Sequence, residues 1–504
     1  MKLAIVNSLL AWYFKKRMPQ IEHALNKPIE TQRQIFHNLI AKGIDTEFGF
    51  HHAFNSIKSV KDYQLNVPVQ DYETLKPYIN RTLRGEQHLL WPSDIQWFAK
   101  SSGTTSDKSK FIPVSFESLE ECQFKGGRDV LSLYCEKYPN SKIFQGKGLL
   151  IGGSHETNPL SENMYCGDLS AVIMNNLPFW VNLLSTPKSE IALMANWEEK
   201  LECIAQATVN EDVTNISGVP TWTLLLFKRL LELTGKKNML EIWPNLELYM
   251  HGGVNFAPYR EQFKQYIPSE QMHYMETYNA SEGFFGIQEH PNSEGMLLMM
   301  DYGIFYEFMP IAEIGKTNPT VITIEDVVVG VNYALIISTN AGLWRYMIGD
   351  TIKFTDTKPY RFYITGRTKL FINTFGEELM IENAEAAIAM ACAETESIMN
   401  DFTAAPIYLQ KDKPGGHEWI IEFEKQPFCL KQFAIQLDLK LKNLNSDYEA
   451  KRTGNMAIAL PMVYACKPGV FYRWLKEKGK LGGQNKVPRL SNDRKIIEEI
   501  YQFL

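Results

Sequence analysis

Ser101, Ser102, Thr104 and Thr105 flank Gly103 in the tract SSGTTSDKSK, which Lys108 and Lys110 close. Hydroxyls donate hydrogen bonds to anionic oxygens, a glycine lets backbone approach an anion closely, and a lysine supplies compensating charge. Such a composition suits phosphate binding. The tract is not a Walker A loop, which requires G-x-x-x-x-G-K-[ST]. The GKT at Gly315 to Thr317 is not one either, because Pro310 stands where the first glycine belongs. Ser and Thr also cap helices and fill turns, so a plain polar loop is the structural alternative.

Three later stretches offer what a bound nucleotide would need. MHGGVNFAP places Gly252 and Gly253 just past a strand, where a flat ring can lie against bare backbone. ETYNASEGFFG offers an aromatic face in Tyr278 and a carboxylate in Glu282 suited to Mg²⁺, a cation that takes oxygen ligands beside phosphates. GLWRYMIGD ends with Asp350, whose two oxygens match the paired hydroxyls of a ribose. Each has a plainer reading: a turn, a core ring, a surface acid, a strand-end residue. Phe179, Trp180 and Trp222 lie in apolar stretches that would serve as an acyl pocket or simply as core. His51, His52 and His251 have no cysteine or acid at ligand spacing and read as structural.

The rest of the chain must position these groups. Its 504 residues exceed what one core usually supports, so at least two domains are expected. A net charge of -6 gives no broad positive field, which disfavours nucleic acid and anionic membrane as partners. The cysteines are scattered with no C-x-x-C pair, which argues against a disulfide framework or zinc site and fits a cytoplasmic protein. The opening MKLAIVNSLLAWYFKKRMPQ is interrupted by Asn7 and Ser8 and lacks an A-x-A site. It is too short to span a bilayer. An amphipathic helix packed on the body is expected there, with peripheral membrane contact as the alternative.

The first third reads as helical, with Gly43 stopping IEHALNKPIETQRQIFHNLIAKG. DIQWFAK reads as a strand, and Ser115 as the N-cap of a helix, so the phosphate tract would lie between a strand and a region heading into helix. NLELYMHGG alternates like a half-buried strand. From Gly295 to Gly366 closely spaced strands predict an antiparallel sheet or partly closed barrel. Helical and strand-like segments then alternate over about 130 residues, an ordinary domain size. The expected architecture is mixed α/β: a large domain over 1–368, with β-sheets flanked by helices and an antiparallel barrel-like sheet, and a small mobile α+β domain over 369–504.

Together and in this order, SSGTTSDKSK, YNASE, LWRYMIGD, LNSDYEAKR and GGQNKVPRL resemble the adenylate-forming superfamily. They are most similar to its Gretchen Hagen branch, the auxin-responsive acyl acid amido synthetases, from about Phe98 to the C-terminus. The resemblance implies ATP and Mg²⁺ as cofactors. Ser101, Ser102, Gly103, Thr104 and Thr105 would hold phosphates, with Lys110 as the basic end of the loop. Gly253 and Tyr278 would hold adenine, with Gly252, Val254 and Ser281 also in the cofactor site; Glu282 would bind the metal, and Asp350 the ribose. Arg367 would sit near the ribose and the hinge, and Lys486 would reach the reacting carboxylate and α-phosphate.

Two departures stand out: Asp107 replaces a usual glycine, and INTFGEELMIENAE lacks an obvious hinge lysine. The implied activity joins a carboxylic acid to an amino acid through an acyl adenylate, with a monomer as the expected state. Alternatives are acyl-CoA synthesis, for which Lys451 and Arg452 would be the basic residues if they are not merely a solvated helix face, and a non-catalytic nucleotide binder.

Overall fold

The computed structural model describes residues 2–102, 109–153, 155–157, 164–194, 196–254, 256, 259–290, 295–368, 371–410, 413–452, 454, 457–478 and 487–504. The N-terminal run is the helix Lys2–Lys15, which packs on the helix Phe124–Lys137. Phe14 is buried and stacks on Phe144, with ring centroids 5.1 Å apart, while Ile5, Leu9 and Trp12 face outward. The following helical stretch is broken at Lys27, because Pro28 starts a new helix that ends at Gly43. Ser115 is an N-cap, accepting from the Ser118 amide.

A twelve-stranded sheet organises the body. Its parallel half runs Ser185–Thr186, Lys147–Leu150, Val213–Ser217, Leu248–His251 and His273–Ala280. The antiparallel half continues through Gly283–Ile287, Met296–Leu298, Tyr360–Arg367, Tyr346–Thr357, Asn332–Thr339, Ile304–Pro310 and Ile322–Thr323. The strands expected after Gly295 are thus one half of a larger sheet. Leu248–His251 lies between two parallel neighbours and is mostly buried rather than half-buried, because both faces of the sheet are packed, Leu248 into one apolar core and Tyr249 into another.

A second sheet orders Ser109–Val114, Trp97–Ser102, Tyr165–Gly167 and His155–Thr157. Here the sequence reading is corrected: a second strand, not the approach to a helix, follows the phosphate tract. Ser101 pairs with Lys110 and Ser102 with Ser109, so residues 103–108 join two antiparallel strands. The C-terminal region adds Ile398–Ile407, Gly416–Lys425 and Met462–Cys466 as a three-stranded sheet, with helices Ile381–Glu394 and Leu430–Leu444 packed together. One apolar core runs from the parallel half (Leu149, Ile216, Tyr249) into this region (Phe375, Trp419, Leu437).

Candidate active site

In open α/β sheets ligands collect beyond the carboxyl ends of parallel strands, where the chain turns away and leaves a crevice. The parallel half follows that rule. Gly152 and Gly153, Gly218, and Gly252 and Gly253 each follow one of its strands, and all line a cavity of 1190 Å³. Gly252 and Gly253 differ in what they require. A Cβ on Gly252 would overlap the Thr277 carbonyl oxygen, so backbone packing demands glycine there. Gly253 has φ +79 and nothing closer than 3.6 Å to a Cβ, so its conformation is what favours glycine.

Tyr278 enters from His273–Ala280, and Ser281 and Glu282 follow in the turn to the next strand. Asp350 does not end a strand: it sits inside Tyr346–Thr357, after Gly349 at φ +99, where it pairs in register with Arg367 on Tyr360–Arg367. That register brings the side chains together. Arg367 Nε donates to Asp350 Oδ1 at 2.8 Å, and the Tyr278 hydroxyl donates to Asp350 Oδ2. Arg367 also donates to Glu378, at 3.0 and 3.3 Å. Burial alone would lower the Arg367 pKa, but Glu378 and Asp350 outweigh it and hold the guanidinium charged. Each Asp350 oxygen can accept more than one hydrogen bond, so the pair of oxygens remains chemically suited to a diol. Arg345, in the same tract, turns away to an ion pair with buried Glu307 at 2.9 Å.

Burial pushes the Glu282 carboxyl up to about 7, Lys110 opposes the shift, and Glu378 and Asp350 reinforce it. A desolvated acid among other acids is a setting that a cation would relieve. Among the described residues, no group of three His, Cys, Asp or Glu side chains could hold a metal ion. Mg²⁺ characteristically uses one or two carboxylates and completes its shell with phosphates and water, so a single acid such as Glu282 is chemically able to serve it.

Ser101, Lys110, Val254 and Trp222 also line the cavity. The structure therefore gathers Ser101, Lys110, Gly252, Gly253, Val254, Tyr278, Ser281, Glu282, Asp350, Arg367 and Trp222 around one space. Gly103, Thr104, Thr105, Asp107 and Lys486 lie outside the described residues, as do the side chains of Ser102 and Trp180. Phe179 is not part of the wall: it is 76% exposed, and its neighbours Pro178 and Val181 line the cavity instead. Arg452 is no solvated residue either, being buried in a bidentate pair with Asp438, while Lys451 beside it faces the cavity over Trp222.

This arrangement can be set beside known proteins. The chain matches the GH3 family N-terminal domain over residues 17–272, its central domain over 297–367 and its C-terminal domain over 382–495. It belongs to the GH3 family. Indole-3-acetic acid-amido synthetase GH3.3 of Arabidopsis thaliana is 22% identical, over 93% of this chain and 90% of that protein. The structure of AtGH3.15 acyl acid amido synthetase in complex with 2,4-DB aligns with a TM-score of 0.63 at 17% identity, covering 97% of this chain and 96% of that one. 2-Hydroxyisobutyryl-CoA ligase in complex with 2-HIB-AMP and CoA aligns with a TM-score of 0.58 at 12% identity, covering 94% and 92%. The two structural likenesses establish the fold.

Within this GH3-family site, sequence reasoning missed several residues. Glu378 shares Arg367 with Asp350, and Asn373 Nδ2 donates to the Gly253 carbonyl at 3.2 Å. Both fall in INTFGEELM, where only the absence of a lysine had drawn notice. His251, read as structural, is buried and stacks on Phe256 with centroids 4.0 Å apart, and it also lines the cavity. Lys200 carried no sequence signal beyond being one polar position in an amphipathic helix.

Proposed function

We propose that this GH3-family protein is an ATP-dependent acyl acid amido synthetase. The observation that carries the reading is the Tyr278–Asp350–Arg367–Glu378 network beside Gly252 and Gly253 at the carboxyl ends of the parallel strands. It offers glycine backbone and a ring for adenine, a carboxylate for ribose hydroxyls and a separate acid for a metal. A carboxylate attacks phosphorus poorly because both partners are negative, so catalysis must align them and neutralise charge. Lys110 and the hydroxyl tract would hold the phosphates, and Lys486 would meet the reacting carboxylate and α-phosphate. Mg²⁺ held by Glu282 would spread the phosphate charge when bound. Pyrophosphate leaves and an acyl adenylate remains. The acceptor amine then forms its bond to the acyl carbon, the bond from that carbon to the AMP oxygen breaks, and the amine loses its proton to solvent.

The large unit is taken as 1–368 and the small one as 369–504, the latter moving to bring Lys486 in for the first step and withdraw it for the second. The partners are small molecules, a carboxylic acid and an amino acid. Among the described residues no helix is long and apolar enough to cross a membrane. A cytoplasmic setting suits the free cysteines.

Pyrophosphate release from Mg-ATP across a panel of carboxylic acids, with and without mixed amino acids, tests this reading. Release that depends on an acid and is stimulated by an amino acid is expected. Stimulation by CoA alone would replace amide synthesis with thioester synthesis. ATP binding without release for any acid would favour a non-catalytic binder.

A further inference from the structure

Beyond the nucleotide-facing network, the cavity lining includes Lys200 and Lys451, from distant parts of the chain. Lys200 stands on the helix Trp197–Thr208 and is 1% exposed. Its ammonium donates to the Gly152 carbonyl and, at 3.1 Å, to that of Gly153. A Cβ on Gly152 would overlap the Met174 sulfur, and one on Gly153 the Asp168 carboxylate, so this loop is packed too tightly for side chains. Lys451 stands on the helix Ser446–Arg452, with Nζ 5.0 Å from the Trp222 ring centroid.

The elements that carry the lysines are in contact. The backbone of Gly454, just past the second helix, sits so close to Glu198 on the first that a Cβ would overlap its carboxylate. The second helix also packs against Trp97–Ser102, the strand leading into the phosphate tract. Burial pushes the Lys200 ammonium down to about 8, Asp168 pulls it up, and Lys451 adds to the lowering. Lys200 is buried and Lys451 half-buried on a wall they share with Asp168, and two ammonium groups against one carboxylate leave that wall complementary to a further anion.

In the amido synthetase reading, on which this inference rests, the acyl acid's carboxylate is consumed at phosphorus in the first step. Apart from the nucleotide, the anion still present when the amide forms is the acceptor's own carboxylate. We propose that Lys200 and Lys451, with Trp222 beneath Lys451, form the subsite for the carboxylate of the acceptor amino acid. Lys200 lies in the stretch matching the family's N-terminal domain and Lys451 in that matching its C-terminal domain. The subsite is therefore complete only when Ser446–Arg452 is docked as in this structure, which ties acceptor selection to the placement of the C-terminal region.

The test compares alanine with ethylamine and phenylalanine with phenethylamine as acceptors, at saturating ATP and acid, in wild type, Lys451→Ala, Lys451→Arg and Lys200→Met. Acid-dependent pyrophosphate exchange in wild type comes first; its absence for every acid would be a failure of the underlying reading, seen before any acceptor is added. Wild type is expected to favour the amino acid in kcat/KM by roughly tenfold to a hundredfold, the worth of a charge-assisted contact. Lys451→Ala should bring that preference towards unity by raising the amino acid's KM more than the amine's, and Lys451→Arg should retain most of it. Because Lys200 also pins the Gly152–Gly153 loop, its variant is read through the same ratio alone, and loss of preference is expected. An unchanged preference in both Lys451→Ala and Lys200→Met overturns the proposal. So does a change confined to the KM of the acyl acid, which would assign the two lysines to an anionic group on that substrate.

Discussion

Replacing Asp350 with asparagine keeps the shape of the side chain and removes its charge, which separates two roles that the carboxylate has been given. Asp350 accepts from Arg367 Nε at 2.8 Å and from the Tyr278 hydroxyl, and it is 8% exposed. The asparagine carbonyl can keep the Arg367 bond if its NH₂ faces Tyr278, whose hydroxyl can accept instead of donate. The geometry is then preserved while Arg367 loses one of its two anionic partners. A charge pair at contact is worth about 4 kcal/mol at an effective dielectric of about 20. With Glu378 still in place, the net loss of stability should be about 1–3 kcal/mol. For the nucleotide, ribose hydroxyls would donate to a neutral amide oxygen instead of a carboxylate, a difference of about 1–2 kcal/mol. That corresponds to a KM for ATP raised roughly 5- to 30-fold, with the KM for the acid nearly unchanged. Acid-dependent pyrophosphate exchange at varied ATP, alongside a thermal unfolding curve, measures both effects. A lowered unfolding midpoint with an unaltered KM for ATP would mean that Asp350 only anchors Arg367, and its assignment to the ribose would have to be withdrawn.

Gly252→Ala and Gly253→Ala should behave differently although the residues are adjacent. The first forces a Cβ onto the Thr277 carbonyl and should cost about 1–3 kcal/mol of stability. The second meets no close neighbour and should cost about 1 kcal/mol for its left-handed φ; denaturant unfolding of the pair checks this, and equal losses would refute the packing argument. His251 is held down to about 3 by burial, with Arg260 adding to the effect, against an ordinary value of 6.5. Between those values the unfolded chain binds a proton that the native chain does not. Stability from this residue is therefore present above pH 6.5 and lost as pH falls towards 3, by up to about 1.4 kcal/mol per pH unit. His251→Leu should flatten the acid limb of a stability–pH profile by that amount, and parallel wild-type and variant profiles would contradict it.

Residue type and order in the sequence singled out the glycine pair, Tyr278, Glu282 and Asp350, and the family resemblance added Arg367; the structure brings all of them to one cavity. Local periodicity likewise located the helices and the antiparallel strands, since each face repeats within a few residues. Strand pairing is not local, and the rest followed from it. Register across Tyr346–Thr357 and Tyr360–Arg367 joined Asp350 to Arg367. Packing on both faces made Leu248–His251 a buried strand, and a second strand after residue 108 put the phosphate tract between antiparallel neighbours. Packing then decided which face of each helix turned inward. Phe179, apolar in sequence, went to solvent, while Lys200 and Lys451, polar in sequence, went to the cavity. A helical pattern records only that its faces differ. What each face meets depends on chain segments far away in sequence, and only the tertiary structure brought those segments together.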